Sequence, residues 1–263
     1  MASDRAIKAA EALMSEHRSG AKFWPFASAF QIGDLDAAYA VQREYVRLQK
    51  RALPGGAVGY KIGLTSPRMQ AMCGIERPIA GVILQARVHQ SGARLSASGY
   101  GRLGLEFEIA VRMARDLRPS ADPVDLLKVA AAVDAVCPAM EIVDDRCCDY
   151  ATLEVLSLVA DNSWNAGIVL GDFQASWPDL ATIEGVVSLN GEVVDRGFGR
   201  DVLGHPFHSV AWLAEHLANA GEGLRAGDIV MTGNLVTTKF PVEPSIYRFD
   251  AIGIGGVEIA IDA

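Results

Sequence analysis

The stretch "GVVSLNGEVVDRG" (185–197) constrains the fold more than any other part of the chain. Apolar residues alternate on both sides of Asn190-Gly191, a dipeptide suited to the left-handed backbone of a two-residue hairpin turn. Two antiparallel strands are therefore predicted here. Glycine points the same way. It supplies 26 of 263 residues, above the usual share of about 7%, and much of it sits in turn-like contexts through the second half.

Two helices are predicted ahead of the strands, over about 4–18 and 34–51. The second carries Leu35, Ala38, Val41, Tyr45 and Leu48 on one stripe, with Asp34 as N-cap. Pro54-Gly55-Gly56 ends this region, so residues 1–56 are expected to form an N-terminal helical region packed on the core. Residues 57–263 are expected to form the β-rich domain, beginning with the strand in "AVGYKIGLT" (57–65). Asp122-Pro123 opens a predicted helix over "PVDLLKVAAAVDAV", with proline in its first turn. Pro138 closes it, and "AMEIVD" (139–144) returns to strand. A further helix, "PFHSVAWLAEHLANAG" (206–221), precedes closing strands in "DIVMTG" (228–233) and 247–263. This is not the regular strand–helix alternation of a doubly wound sheet. The fold class is α+β: a large mixed sheet, rolled or stacked on itself, with helices at the N-terminus and outside.

Composition removes several functions. The net charge of −8 leaves no basic stripe to neutralise phosphates, so neither nucleic acid nor an acidic membrane surface is an expected partner. No apolar run reaches the ~18–20 residues of a membrane span, and the first twenty residues carry charges where a secretion signal needs an apolar stretch. A cytoplasmic location is expected. Cys73, Cys137, Cys147 and Cys148 read as free thiols in a reducing compartment. No HExxH, zinc-type Cys/His spacing, nucleophile elbow, Walker loop or G-x-G-x-x-G after a strand is present.

Chemistry concentrates in "LEFEIA" (105–110). Strand periodicity puts Leu105, Phe107 and Ile109 on one face and Glu106 and Glu108 together on the other. Glu141, in "CPAMEIVDDR", is a third acid among apolar neighbours. A solvated strand face accommodates all three. If they are buried, like-charge repulsion and desolvation are costly, and a divalent cation offsets both. Carboxylate-only ligation suits Mg²⁺ or Mn²⁺ and leaves coordination positions for water or substrate. Lys61, mid-strand in "GYKIGLTS", is either a surface lysine with a buried stem or a partly buried ammonium. The latter would pair a substrate carboxylate or transfer a proton with a lowered pKa. Asp161, Asn162, Ser163 and Asn165 form either a polar turn or a hydrogen-bonding lip over a substrate. His205, in "LGHP", is either near a helix cap or in the site.

In this order "GYKIGLTS" (59–66), "EFE" (106–108), "PAMEIVDDR" (138–146), "ADNSWNAGIVLG" (160–171), "LGHP" (203–206) and "RAGDIVMTG" (225–233) resemble the fumarylacetoacetate hydrolase superfamily. Within it they are similar to the branch of 2-oxopent-4-enoate-type hydratases and 4-oxalocrotonate decarboxylases. The resemblance covers roughly residues 35–260. It implies a mixed β-roll with an N-terminal helical region, usually in a homo-oligomer. It implies Glu106, Glu108 and Glu141 as ligands of Mg²⁺ or Mn²⁺, Lys61 as the active-site lysine, and Leu64, Ile79, Asp161 and Ser163 as substrate-binding positions. The implied substrate is a small 2-hydroxy-2,4-dienoate or its 2-oxo tautomer. The expected reaction is water addition giving a 4-hydroxy-2-oxo acid, in aromatic meta-cleavage catabolism. The alternatives are decarboxylation of 2-oxo-3-hexenedioate, or a non-catalytic partner subunit in a complex with the pathway's other metal-dependent lyase. The chain also departs from the pattern. "RPIAG" has Ile79 where the hydratases carry aspartate, which is more like the decarboxylases. Gly104 stands before the first glutamate where a basic residue is usual, with Arg102 two residues earlier. "VEPSIYRF" (242–249) replaces the usual Gly-Asp turn. The activating His–acid pair that a C–C hydrolase needs is not evident in the N-terminal region.

Overall fold

Ser3 starts the first helix because its hydroxyl accepts the Ala6 N–H. Helix α1 (Asp4–Ser19) ends at Gly20 in the left-handed conformation. Its buried face is small (Ala6, Ala9, Ala10, Leu13), which lets α2 (Leu35–Ala52, capped by Asp34) lie close against it. The computed structural model describes residues 3–118, 123–242 and 244–262. Asp122 of the predicted helix start and Glu243 of the atypical turn lie outside the described residues.

The chain continues through β1 (Ala57–Gly63), α3 (Pro67–Met72), β2 (Ile79–Leu84), β3 (Val88–Gln90), β4 (Ala93–Ser96) and β5 (Leu103–Met113). Then come α4 (Leu126–Ala132), β6 (Val133–Asp144), α5 (Val155–Ala160), β7 (Asn165–Leu170), β8 (Glu184–Leu189) and β9 (Glu192–Phe198). Helix α6 (Pro206–Asn219) and strands β10 (Ile229–Asn234), β11 (Ser245–Ala251) and β12 (Gly255–Asp262) complete it. One sheet has the order β2-β1-β10-β5-β6-β7-β3 and the other β4-β12-β11-β8-β9. Each mixes parallel and antiparallel pairs, so the expected α+β mixed roll is what the chain forms. The predicted hairpin is β8–β9, turning at Asn190 (φ 51°) and Gly191 (φ 90°).

The main core lies between the sheets. Leu105, Phe107 and Ile109 are fully buried on it, with the Phe107 ring 6.1 Å from Tyr247 and 5.8 Å from Phe249. The opposite face of the seven-stranded sheet carries a second, smaller apolar cluster: Ile83, Ala110, Cys137, Ala139, Ile168, Leu170 and Met231. Glu108 and Glu141 share that face with it by strand phase.

Two local expectations are corrected. The helix predicted over 123–136 is shorter, Leu126–Ala132, with Asp125 capping the Lys128 N–H. Val133–Val136 are strand because they pair with β5, and a tertiary ladder overrides local propensity. Pro138 does not close a helix; it lies inside β6, opposite Ile109. Its carbonyl accepts the Gly171 N–H just past the end of β7, so the donor it lacks falls where the β7 ladder has stopped.

Candidate metal centre

Register brings the acids together. Glu106 on β5 stands directly opposite Glu141 on β6, and Glu108 stands opposite Ala139. Like charges facing across a ladder destabilise it. Lys61, on β1, is separated from β6 by β10 and β5, about 14 Å away in a flat sheet. The two long side chains nevertheless meet across the intervening strands, Lys61 Nζ lying 3.2 Å from Glu141 Oε2. One oxygen from each glutamate can be chosen so that all three lie within 4.8 Å of one another. That spacing matches oxygens sharing one divalent ion at roughly 2.0–2.6 Å.

The surroundings hold these carboxylates rather than solvate them. Glu108 and Glu141 have no exposed surface. Glu108 Oε2 accepts the Gly233 N–H at 2.7 Å, Glu141 Oε1 accepts Asn165 Nδ2 at 2.9 Å, and Glu106 Oε1 accepts the Thr238 hydroxyl at 2.8 Å. Gly233 has φ 124°, and a Cβ there would meet Thr65 Oγ1 at 2.5 Å, so only glycine permits this approach. Glu108 Oε1 is buried with no hydrogen-bond partner, a costly state for a carboxylate oxygen that a cation among the three acids would relieve. The donor set fits a hard divalent cation.

Burial, with the charges of Glu141 and Glu106, pushes the Glu108 carboxyl well above its usual range. Burial pushes Glu141 up to about 7, against the pull of Lys61. Burial pulls the Lys61 ammonium down, but Glu141, Glu106 and Glu108 more than offset it, so the net direction is up. Of the two roles expected of Lys61, pairing a substrate carboxylate agrees with this upward direction and a lowered pKa does not.

The other predicted positions separate into two groups. Ile79 is buried and flanks Lys61: a Cβ on Gly63 would stand 3.4 Å from both Ile79 Cγ1 and Lys61 Nζ. Leu64 follows with a left-handed backbone (φ 56°) and is half-buried. Ser163 donates to the Ala80 carbonyl, and Asn162 bonds both the N–H and the carbonyl of Val82. The polar turn therefore clamps β2 beside Lys61. Asp161, in contrast, is spent on Arg146 Nη2 (2.7 Å) and His17 Nε2 (2.6 Å). His17 of the N-terminal region does pair with an acid, but the acid is this distant Asp161 and the pair belongs to the charge network. His205 caps α6 through the Phe207 N–H and lies 3.3 Å from Asp179. Gly233 and Thr238 were not singled out in the sequence. Gly233 sat within a recognisable stretch, whereas Thr238 lies in an irregular segment that carries no periodic signal.

A model of the fumarylacetoacetate hydrolase C-terminal family matches residues 71–258. A 2-keto-4-pentenoate hydratase of Burkholderia vietnamiensis is 32% identical, over 98% of both chains. A 4-oxalocrotonate decarboxylase of Pseudomonas sp. CF600 is 37% identical, over 79% of this chain and 77% of the relative. The structure of 4-oxalocrotonate decarboxylase from Pseudomonas putida G7, complexed with magnesium and adipate, superposes with a TM-score of 0.90 at 32% identity, covering 98% of this chain and 97% of that one. With the family model spanning most of its length and relatives alike from end to end, this chain belongs to the fumarylacetoacetate hydrolase family.

Proposed function

We propose that this chain is a divalent-metal-dependent lyase that adds water to a 2-hydroxy-2,4-dienoate, giving a 4-hydroxy-2-oxo acid. The observation that carries the reading is the convergence of Glu106, Glu108 and Glu141 beside Lys61, with a buried glutamate oxygen left unpartnered. The hydratase and decarboxylase relatives support a lyase, and the magnesium in the solved relative supports a divalent ion. Glu106, Glu108 and Glu141 would hold Mg²⁺ or Mn²⁺, which when bound supplies Lewis-acid stabilisation of negative charge on a substrate oxygen.

Lys61 remains an ammonium and draws the anionic carboxylate end of the substrate to the tripod. There its charge stabilises the dienolate as a proton moves from the C2 hydroxyl to C5. C4 of the resulting 2-oxo-3-enoate is electrophilic, and water adds its oxygen there and a proton at C3. Asn165 and the Gly233 N–H hold Glu141 and Glu108 in place. The reading includes the division into a helical region, 1–56, and a catalytic unit, 57–263. It also includes a homo-oligomer, to be checked by light scattering, and an association with the pathway's other lyase.

The test is a metal-reconstituted assay with 2-hydroxypenta-2,4-dienoate and 2-oxo-3-hexenedioate side by side. A hydrated product is expected. Release of CO₂ without hydration favours the second reading, decarboxylation, for which Ile79 speaks. An apolar residue beside Lys61 provides no general acid, and Ile79→Asp is expected to raise hydration relative to decarboxylation. An unchanged product ratio would remove Ile79 as the determinant.

A further inference from the structure

A second cavity lies away from the tripod, where α1 and α2 meet the ends of strands from both sheets. Its volume is about 480 Å³, within the range of small-ligand sites. His17 of α1, Tyr45 of α2, Arg87, His89 of β3, Tyr100 and Trp164 line it, and none of Lys61, Glu106, Glu108 and Glu141 does. Asn165 stands between the two sites. Its side chain holds Glu141, and its carbonyl accepts Arg87 Nη1 at 3.3 Å.

The donors on this wall are unspent. Among the described contacts that long bond is the one hydrogen bond Arg87 makes, and no acid pairs with it. Its Nε–Nη2 edge, which can meet a carboxylate through two parallel bonds, is uncommitted. Tyr45 is 2% exposed, and its hydroxyl has no partner among the described contacts. Unlike the Trp164 indole nitrogen, that hydroxyl is not sealed off, and the surface it keeps faces this cavity. The Tyr100 hydroxyl is likewise unpartnered among the described contacts. Burial pushes both phenols up and the charge of Arg87 pulls both back, so the guanidinium and the phenols share one neighbourhood. Protonated phenols donate, and a buried donor without an acceptor is costly. The acids on the wall do not serve. Asp144 accepts the Gly101, Arg102 and Arg146 N–H groups, and Asp161 is committed to Arg146 and His17. Their charges oppose a dianion. The ring of His17, stacked on Tyr45 at 5.4 Å, and the Trp164 indole offer flat surfaces to an aromatic body.

We infer that this cavity is a second binding site, for an aromatic monocarboxylic acid whose carboxylate is received by Arg87, Tyr45 and Tyr100. The site stands whatever reaction the tripod performs.

Calorimetric titration of the Mg²⁺-loaded protein with benzoate tests it, with benzyl alcohol as the neutral probe and inorganic phosphate as the non-aromatic one. Saturable benzoate binding is expected, about tenfold tighter or more than either of the others. Arg87→Met is expected to weaken it by about tenfold or more, and Tyr45→Phe by about threefold. Neither substitution removes more than one protein hydrogen bond among the described contacts. Glu106→Gln alters the tripod alone and is expected to leave benzoate binding unchanged. Binding that is lost in Glu106→Gln and kept in Arg87→Met places the probe on the tripod and overturns the inference. Absence of saturable binding overturns it too, as does phosphate or benzyl alcohol binding as tightly as benzoate. Should Arg87→Met fail to fold, undiminished affinity in Tyr45→Phe overturns it alone.

Discussion

Two of the clusters of buried charge among the described residues are built on opposite principles. Around Arg146, a guanidinium only 2% exposed, Asp161 accepts from both Nη2 and His17, Glu16 accepts at 3.2 Å, the Ala21 carbonyl at 3.1 Å, and the Phe23 ring lies 5.6 Å away. Acids and bases there nearly balance, and the network ties α1 to the turn that follows α5. At the tripod three acids face one lysine, two of them stand directly opposite each other across a ladder, and a carboxylate oxygen is left bare. The first cluster pairs its charges across the fold and leaves Arg146 Nε as its one buried atom without a partner among the described contacts. The second costs stability, a cost a protein sustains where a ligand removes it.

Mutations should separate the two. Glu106→Gln removes a proposed ligand, so metal-supported turnover should fall by more than the ~100-fold typical of outer-sphere losses, read by assay and Mn²⁺ titration. Full activity of this variant under chelation rejects the metal mechanism. Arg146→Met leaves buried Asp161 with His17 alone and should lower stability by about 3–5 kcal/mol in urea titrations. If the urea midpoint does not move, the network is not the stabilising one. Glu108→Gln should do the reverse in EDTA, raising stability by about 1–2 kcal/mol as one repelling charge leaves. With saturating Mg²⁺ the wild type should overtake it, and a variant less stable than wild type in EDTA contradicts the frustrated tripod.

The smallest effect lies outside both clusters. Burial lowers the His216, His205 and His89 imidazoles below their usual 6.5. The unfolded chain therefore takes up protons first as the pH falls, and stability is held above about 6.5 and lost below it. The melting temperature should drop by no more than about 2–4 °C over that range. A larger drop would show that these three imidazoles do not set the pH dependence.

The legible parts of the sequence were those set by local rules. Asn190-Gly191 marked its hairpin, Asp34 its helix cap, and the alternation in "LEFEIA" both the buried face and the two acids. Sequence patterns misled where distant partners decide. Val133–Val136 look helical but join a ladder with β5, and Pro138 looks like a stop but sits where the β7 ladder has already ended. His17 gave no signal because its partner, Asp161, is 144 residues away.

The sequence by itself determined which acids share a strand face, since a two-residue period leaves no choice. It also determined the family, through motifs whose order matters more than any one of them. The tertiary structure alone decided that Glu141 stands opposite Glu106, that Lys61 reaches it across two intervening strands, and that Asp161 answers to Arg146 rather than to the tripod. Register, strand order and side-chain commitment depend on long-range packing, and no local pattern encodes them.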